Sequence, residues 1–174
     1  DLKALVDGNN AFAIDLYKKL AEKETGDIVI SPYSISSALA MTYAGARGKT
    51  AEEMRKVLHF DLPDDRLHPA MADSARIMTP TGPTAVYKLG VANALWGRTG
   101  ERFQADFLLL SNRVYGGGFR EVDFARDREA CRATINGWVA EKTENRIPEL
   151  LLKNDITSGT VLVLTNAIYF KGEW

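Results

Sequence analysis

Apolar positions recur along this chain with two different periods, and the changeover falls near residue 87. Phe12, Leu16 and Leu20 are spaced four apart, with Ala13 and Tyr17 beside them and Lys18, Lys19 and Glu22 on the other side. That pattern predicts an amphipathic helix over about 9–22, capped by Asp7 or Asn9 and ended by Gly26. Asp27–Ile30 then predicts a short buried strand. Ser31-Pro32 opens a second helix, since serine suits the N-cap and proline suits a first turn whose N–H groups are unpaired anyway. Its body, Tyr33 to Ala46, is built from small uncharged residues (Ser34, Ser36, Ser37, Ala38, Ala40, Ala44 and Gly45), which predicts a buried helix closely approached by other backbone. Gly48 ends it. Thr50 and Glu53 then read as a capping box for a third helix with Met54, Val57 and Leu58 as its apolar face.

Pro63, Pro69, Pro80 and Pro83 punctuate the next stretch, where a helix of about 67–78 is predicted. From Tyr87 the period becomes two: Tyr87, Leu89, Val91, Asn93 and Leu95 alternate with Lys88, Gly90, Ala92, Ala94 and Trp96. This predicts a long strand with large residues on one face and small ones on the other. A helix of about 102–110, a turn at Gly116-Gly117-Gly118 and a short strand at Arg120–Phe124 follow. Asp127 caps a predicted helix of about 128–143 whose face carries Cys131, Ile135, Trp138 and Val139, and Pro148 closes the segment after it. Val161–Leu164 and Ala167–Phe170 are almost solidly apolar, which predicts a strand covered on both faces, central in a large sheet. A central strand needs neighbours on both sides, so the pattern predicts part of a larger α+β fold.

Composition narrows the chemistry. The 174 residues carry 22 Lys+Arg against 23 Asp+Glu. That balance gives no general electrostatic attraction to nucleic acid or anionic membrane, and neither is expected as a partner. The longest apolar runs, such as Val161–Leu164 and Phe107–Leu110, fall far short of the about 18 residues of a membrane span. No basic-then-apolar leader follows Asp1. Cys131 is the single cysteine and His59 and His68 the two histidines, so neither a disulfide framework nor a multi-cysteine metal site is available, and no metal or cofactor is expected.

Local motifs have plain structural readings. Gly45-Ala46-Arg47-Gly48-Lys49-Thr50 resembles a phosphate-binding loop, but Tyr43 stands where that loop needs its first glycine, and a helix rather than a strand precedes it. Cys131, at helical spacing with Ile135 and Trp138, reads as a small buried hydrophobe. No G-x-S-x-G or S-x-x-K serine signature occurs. His59 and His68 read as surface residues. Trp96, Trp138 and Trp174 are too scattered for a base-stacking platform.

Asn166 stands out. It sits within the apolar strand, on the face of Leu162, Leu164, Ile168 and Phe170. A buried amide needs a partner, and Ser31, Ser34 or Ser37 are the expected ones. Two roles stay open at this point: a static bridge that fixes register, or a latch that exchanges partners as strands move.

In order and spacing, these segments resemble the serpins, the serine protease inhibitor superfamily, across the whole chain. Asn10-Ala11-Phe12 is similar to the start of helix A, and Ile30 to Met41 (ISPYSISSALAM) to helix B. Gly45 to Thr50 with Glu53 is similar to the entry of helix C, and Val91-Ala92-Asn93-Ala94-Leu95-Trp96 to strand 2 of sheet A. Ile135-Asn136-Gly137-Trp138-Val139 with Thr143 and Ile147 resembles helix F. Asn166-Ala167-Ile168-Tyr169-Phe170-Lys171-Gly172-Glu173-Trp174 resembles strand 3 of sheet A.

The resemblance implies residues 1–174 as the N-terminal part of a single serpin domain, with helices A–F packed on strands 1–3 of a large mixed sheet. The C-terminal half and its reactive-centre loop lie outside this sequence. It implies no enzyme but a suicide inhibitor. A serine protease cleaves the loop, stays attached as an acyl-enzyme, and is trapped covalently as the loop inserts as a strand into sheet A. It also implies roles for residues: Ser31, Ser34 and Asn166 in the shutter that controls sheet opening, and Trp174, with Lys171 and Gly172, at the breach where insertion begins. Trp138 would sit on helix F, which covers the sheet and moves aside. An extracellular setting is favoured. A non-inhibitory serpin, acting as carrier, chaperone or storage protein, is the competing reading. Arg66, His68 and Arg76 alternate with Asp64, Asp65 and Asp73, so no strong heparin site is expected.

Overall fold

A computed structural model of the chain describes residues 1–80, 86–115 and 118–172. Pro83, Gly116, Gly117 and Trp174 lie outside the described residues. The chain divides into two compact units, Asp1–Ile77 and Met78–Trp174.

The first unit is helical. Helix α1 (Leu2–Ala21) starts well before the predicted residue 9, capped at Asp1. Gly8-Asn9-Asn10 looks like a break, yet Gly8 sits inside the helix for a packing reason: a Cβ there would lie 2.3 Å from the His59 carbonyl oxygen. The close approach of that loop outweighs glycine's poor helix propensity. Asp27–Ile30 joins no ladder among the described residues, and Val29 is 94% exposed, against the predicted buried strand. Helix α2 (Pro32–Tyr43) follows the expected cap: the Ser31 hydroxyl accepts from the Ser34 N–H at 3.4 Å. Ser34, Ser36, Ser37, Ala38, Ala40 and Met41 are all buried, as the small-residue composition predicts.

Helix α3 (Gly48–Val57) begins at Gly48, so Thr50 lies in its first turn and does not cap it. The Arg47 guanidinium turns back to the Ala44 and Ala46 carbonyls at 3.0 and 2.7 Å, closing the turn between α2 and α3. Leu58 is buried, whereas Val57 faces solvent. Helix α4 (Asp64–Met78) contains Pro69 and buries Leu67, His68, Ala70, Met71 and Ser74. His68, expected at the surface, is 4% exposed.

The second unit is a mixed sheet with helices. Strand β1 (Tyr87–Arg98), helix α5 (Ala105–Val114), strand β2 (Phe119–Val122), helix α6 (Arg128–Lys142) and strand β3 (Leu162–Gly172) follow in order. The sheet order is β2-β1-β3, with β2 parallel and β3 antiparallel to β1. Asp127 caps α6 as predicted, its carboxylate accepting from the Ala130 N–H at 2.9 Å. Ala92, Ala94, Trp96 and Ala167 pack against Cys131, Ile135, Trp138 and Val139 of α6, joined by Phe124 and Ile156. The small face of β1 is therefore the one that admits the helix. Along β3, Thr165 and Ala167 are buried against α6, while Leu162 and Phe170 are 39% and 58% exposed.

Candidate functional site

The long β1–β3 ladder is the frame of the site. Its register pairs Asn93 with Asn166, flanked by Ala92↔Ala167 and Ala94↔Thr165. Strand alternation puts Asn93, Leu95, Leu164, Asn166 and Ile168 on the face away from α6. There the Asn166 amide donates to the Asn93 side-chain carbonyl at 2.5 Å. The signal for this partner was indirect: Asn93 is the one amide among the large alternating positions of β1. Asn93 is 5% exposed, so the pair is a polar contact set in an apolar ladder, where each amide depends on its partners.

On the α6 face, the Trp96 indole N–H donates to the Thr165 hydroxyl at 3.0 Å, and that hydroxyl donates to the Ala94 carbonyl at 3.2 Å. Trp138, the candidate on α6, meets Trp96 edge-on with ring centres 5.6 Å apart. The Arg120 guanidinium lies over both rings, at 5.5 and 5.4 Å. The two tryptophans thus do come together, but inside the core. Trp138 Nε1 is buried without an acceptor among the described residues.

Helix α6 and the segment after it are fastened by residues whose roles the sequence analysis did not assign. The Asn136 side-chain oxygen accepts from the Leu150 and Leu151 N–H groups at 3.0 and 2.8 Å, while its amide donates to the Leu151 carbonyl at 2.9 Å. Thr143, fully buried, donates to the Val139 carbonyl and accepts from the Ile147 N–H at 3.1 Å. Arg98 holds the end of the segment through the Ser158 and Thr160 carbonyls. The signal for Asn136 was available: an amide between Ile135 and Trp138 on an apolar helix face.

The candidates at the end of β3 fall in register with the start of β1. Lys171 lies opposite Lys88, and Gly172 opposite Tyr87, whose ring sits 5.9 Å from that of Phe170. Trp174 is beyond the described residues.

In the first unit, Ser34 is 1% exposed and Ser31 half-buried. A second polar group lies beneath α4. Tyr43 donates to Asp64 at 2.7 Å, and Arg55 pairs with Asp64 at 2.6 Å while donating to the Phe60 and Leu62 carbonyls. His68 lies beside Tyr43, with ring centres 6.1 Å apart, and burial pushes its pKa down. Burial raises the Cys131 thiol, which disfavours a nucleophilic thiolate. Among the described residues no three of His, Cys, Asp and Glu converge as a metal-binding group. Among the described residues no helix is long and apolar enough to cross a membrane.

A family model described as Serpin (serine protease inhibitor) matches residues 7–174. The leukocyte elastase inhibitor of Equus caballus is 45% identical over 99% of this chain, and that of Homo sapiens is 40% identical over the same share. Among solved structures, ovalbumin from emu superposes with a TM-score of 0.88 at 29% identity over 98% of this chain. Serpin48 from Tenebrio molitor gives 0.86 at 30% identity over 99% of it. The chain spans a little under half of each: 45% of the two inhibitors, 47% of the ovalbumin and 46% of Serpin48.

Proposed function

The chain belongs to the serpin family, and from that premise we propose that it is the N-terminal part of a single serpin domain in a serine protease inhibitor. The inhibitor works as a suicide substrate. Its reactive-centre loop is cut, the protease is held as an acyl-enzyme, and the loop joins the sheet beside β3. The observation that carries this reading is the long β1–β3 ladder, paired along the whole of β3 and holding the Asn166–Asn93 amide pair near its middle. The relatives' name, leukocyte elastase inhibitor, supports an elastase-like serine protease as the partner. A new strand supplies backbone hydrogen bonds worth roughly 0.5–1.5 kcal/mol each, so a full strand's worth outweighs any single side-chain latch.

Ser31, Ser34 and Asn166 take the shutter roles, each controlling how readily its own element yields. Lys171, Gly172 and Trp174 take the breach roles at the end of β3. Trp138 anchors α6 as the cover of the sheet. None of these residues is catalytic, because the bond-breaking chemistry belongs to the protease. We propose no strong site for sulfated polysaccharide on α4: Arg66 pairs with Asp1, Arg76 with Asp73, and His68 is buried.

The test is to mix the full-length protein with a leukocyte-elastase-type serine protease and resolve the products by denaturing electrophoresis. A complex that survives denaturation is the expected result. Loop cleavage with no such complex, across elastase-, trypsin- and chymotrypsin-like enzymes, would overturn the inhibitory reading in favour of a carrier, chaperone or storage role.

A further inference from the structure

Three side chains from three elements meet where α6 ends. Glu144, two residues beyond the helix, pairs through one carboxylate oxygen with Lys88 of β1. Its other oxygen accepts from the Tyr169 hydroxyl of β3 at 2.8 Å. One carboxylate thus ties the exit of α6 to both strands. The pairing holds the Glu144 carboxyl below its ordinary range, and the Lys88 ammonium and Tyr169 hydroxyl above theirs.

Two backbone features accompany the tie. Glu144 and Asn145 both lie in the left-handed region, at φ 50° and 59°, a conformation that costs a non-glycine residue and persists when its surroundings hold it. Gly90, the cross-strand partner of Tyr169, lets the chain come down there: a Cβ on it would sit 3.1 Å from the Lys142 carbonyl oxygen. The end of α6 is therefore seated on β1 by a glycine and fastened to β3 by a carboxylate.

We propose that Glu144, acting through Lys88 and Tyr169, is a positioning residue that sets how fast the exit of α6 lifts from β3 when a strand is added beside it. This rests on the inhibitory reading above and adds the element that paces it. The tie is exposed, so it tunes a rate and does not decide the outcome.

The test uses full-length protein and the variants Glu144→Gln, Tyr169→Phe and the charge swap Lys88→Glu with Glu144→Lys. Three readouts are taken: the rate of denaturation-resistant complex formation with elastase, the melting midpoint, and hydrogen exchange of residues 143–146 and 168–170. Tyr169→Phe and Glu144→Gln should each speed complex formation about two- to fivefold, the scale of an exposed ion pair, with the midpoint little changed. Exchange at 143–146 should rise, and the charge swap should return the rate part of the way to wild type. An unchanged rate in both single variants, or a rate gain that follows loss of midpoint in proportion, overturns the proposal. If wild type forms no complex at all, the inhibitory reading fails separately. Exchange then decides the tie: local loosening at 143–146 and 168–170 upholds it, and no change removes it.

Discussion

His68 shows what burial does to a single titratable group. Its imidazole lies on the buried face of α4 beside Tyr43, desolvation lowers its pKa, and Asp64 offsets only part of that. A base whose folded pKa lies below its unfolded value of 6.5 binds more protons unfolded than folded between the two. Stability therefore falls as pH drops through about 6.5 toward the folded pKa, and is retained above it. Urea midpoints at pH 7.5 and 5.5 should show a loss for wild type on acidification, and a smaller loss for His68→Gln. Equal pH slopes would assign the acid sensitivity to other groups. Asn136 makes a complementary case without titration. Removing its side chain strands the Leu150 and Leu151 N–H groups and the Leu151 carbonyl, so Asn136→Ala should cost about 2–3 kcal/mol by denaturant unfolding. A loss of only a few tenths would mean that water takes over all three bonds.

At the scale of elements, the sequence was most legible where local chemistry and tertiary packing agree. Ser31-Pro32 and Asp127 start α2 and α6 because the cap, the first turn and the buried face all favour the same register. It was least legible where a distant contact decides. Nothing local says that Gly8 belongs inside a helix; the His59 carbonyl 2.3 Å from its absent Cβ does. The shift of the start of α3 from Thr50 to Gly48 is by contrast local, next to the Arg47 guanidinium bound to the Ala44 and Ala46 carbonyls. Asp27–Ile30 has strand chemistry but no ladder beside it among the described residues, and a short apolar run without a paired neighbour makes no strand. Of the site, Asn166 was readable as an amide needing a partner, though it is half-buried, whereas the Asn93 partner depended on a register that only the ladder supplies. Helix α6 offers a direct check on element energetics. Gly137 lies within it, and a Cβ there meets nothing within 4 Å. Gly137→Ala should thus stabilise the protein by about 0.5–1 kcal/mol, read as a raised denaturation midpoint. A loss instead would mean that this surface of α6 is packed in the full-length protein.

At the scale of the whole molecule, the two candidate classes of residue make different demands. A static bridge stabilises every state that contains the ladder. A latch stabilises one state and gives up part of its bonding in the other. The Asn93–Asn166 pair is the place to separate them, since β1 and β3 stay neighbours only if the new strand enters on β3's other edge. In full-length protein, we expect Asn166→Ala to lower the unfolding midpoint of the native form more than that of the cleaved, loop-inserted form. Ser34→Ala should do the same, since its hydroxyl is buried at 1% exposure, where a polar group depends on its partners. For Asn93 with Asn166, a double-mutant cycle in the native form should give a coupling of about 0.5–3 kcal/mol, the range for residues in direct contact. The decisive comparison is the same cycle in the inserted form. A coupling that shrinks there means the amides exchange partners as the sheet expands, and Asn166 is a latch. An equal coupling in both forms leaves a bridge that fixes register, and control of insertion must then lie elsewhere, with the Glu144 tie the first place to look.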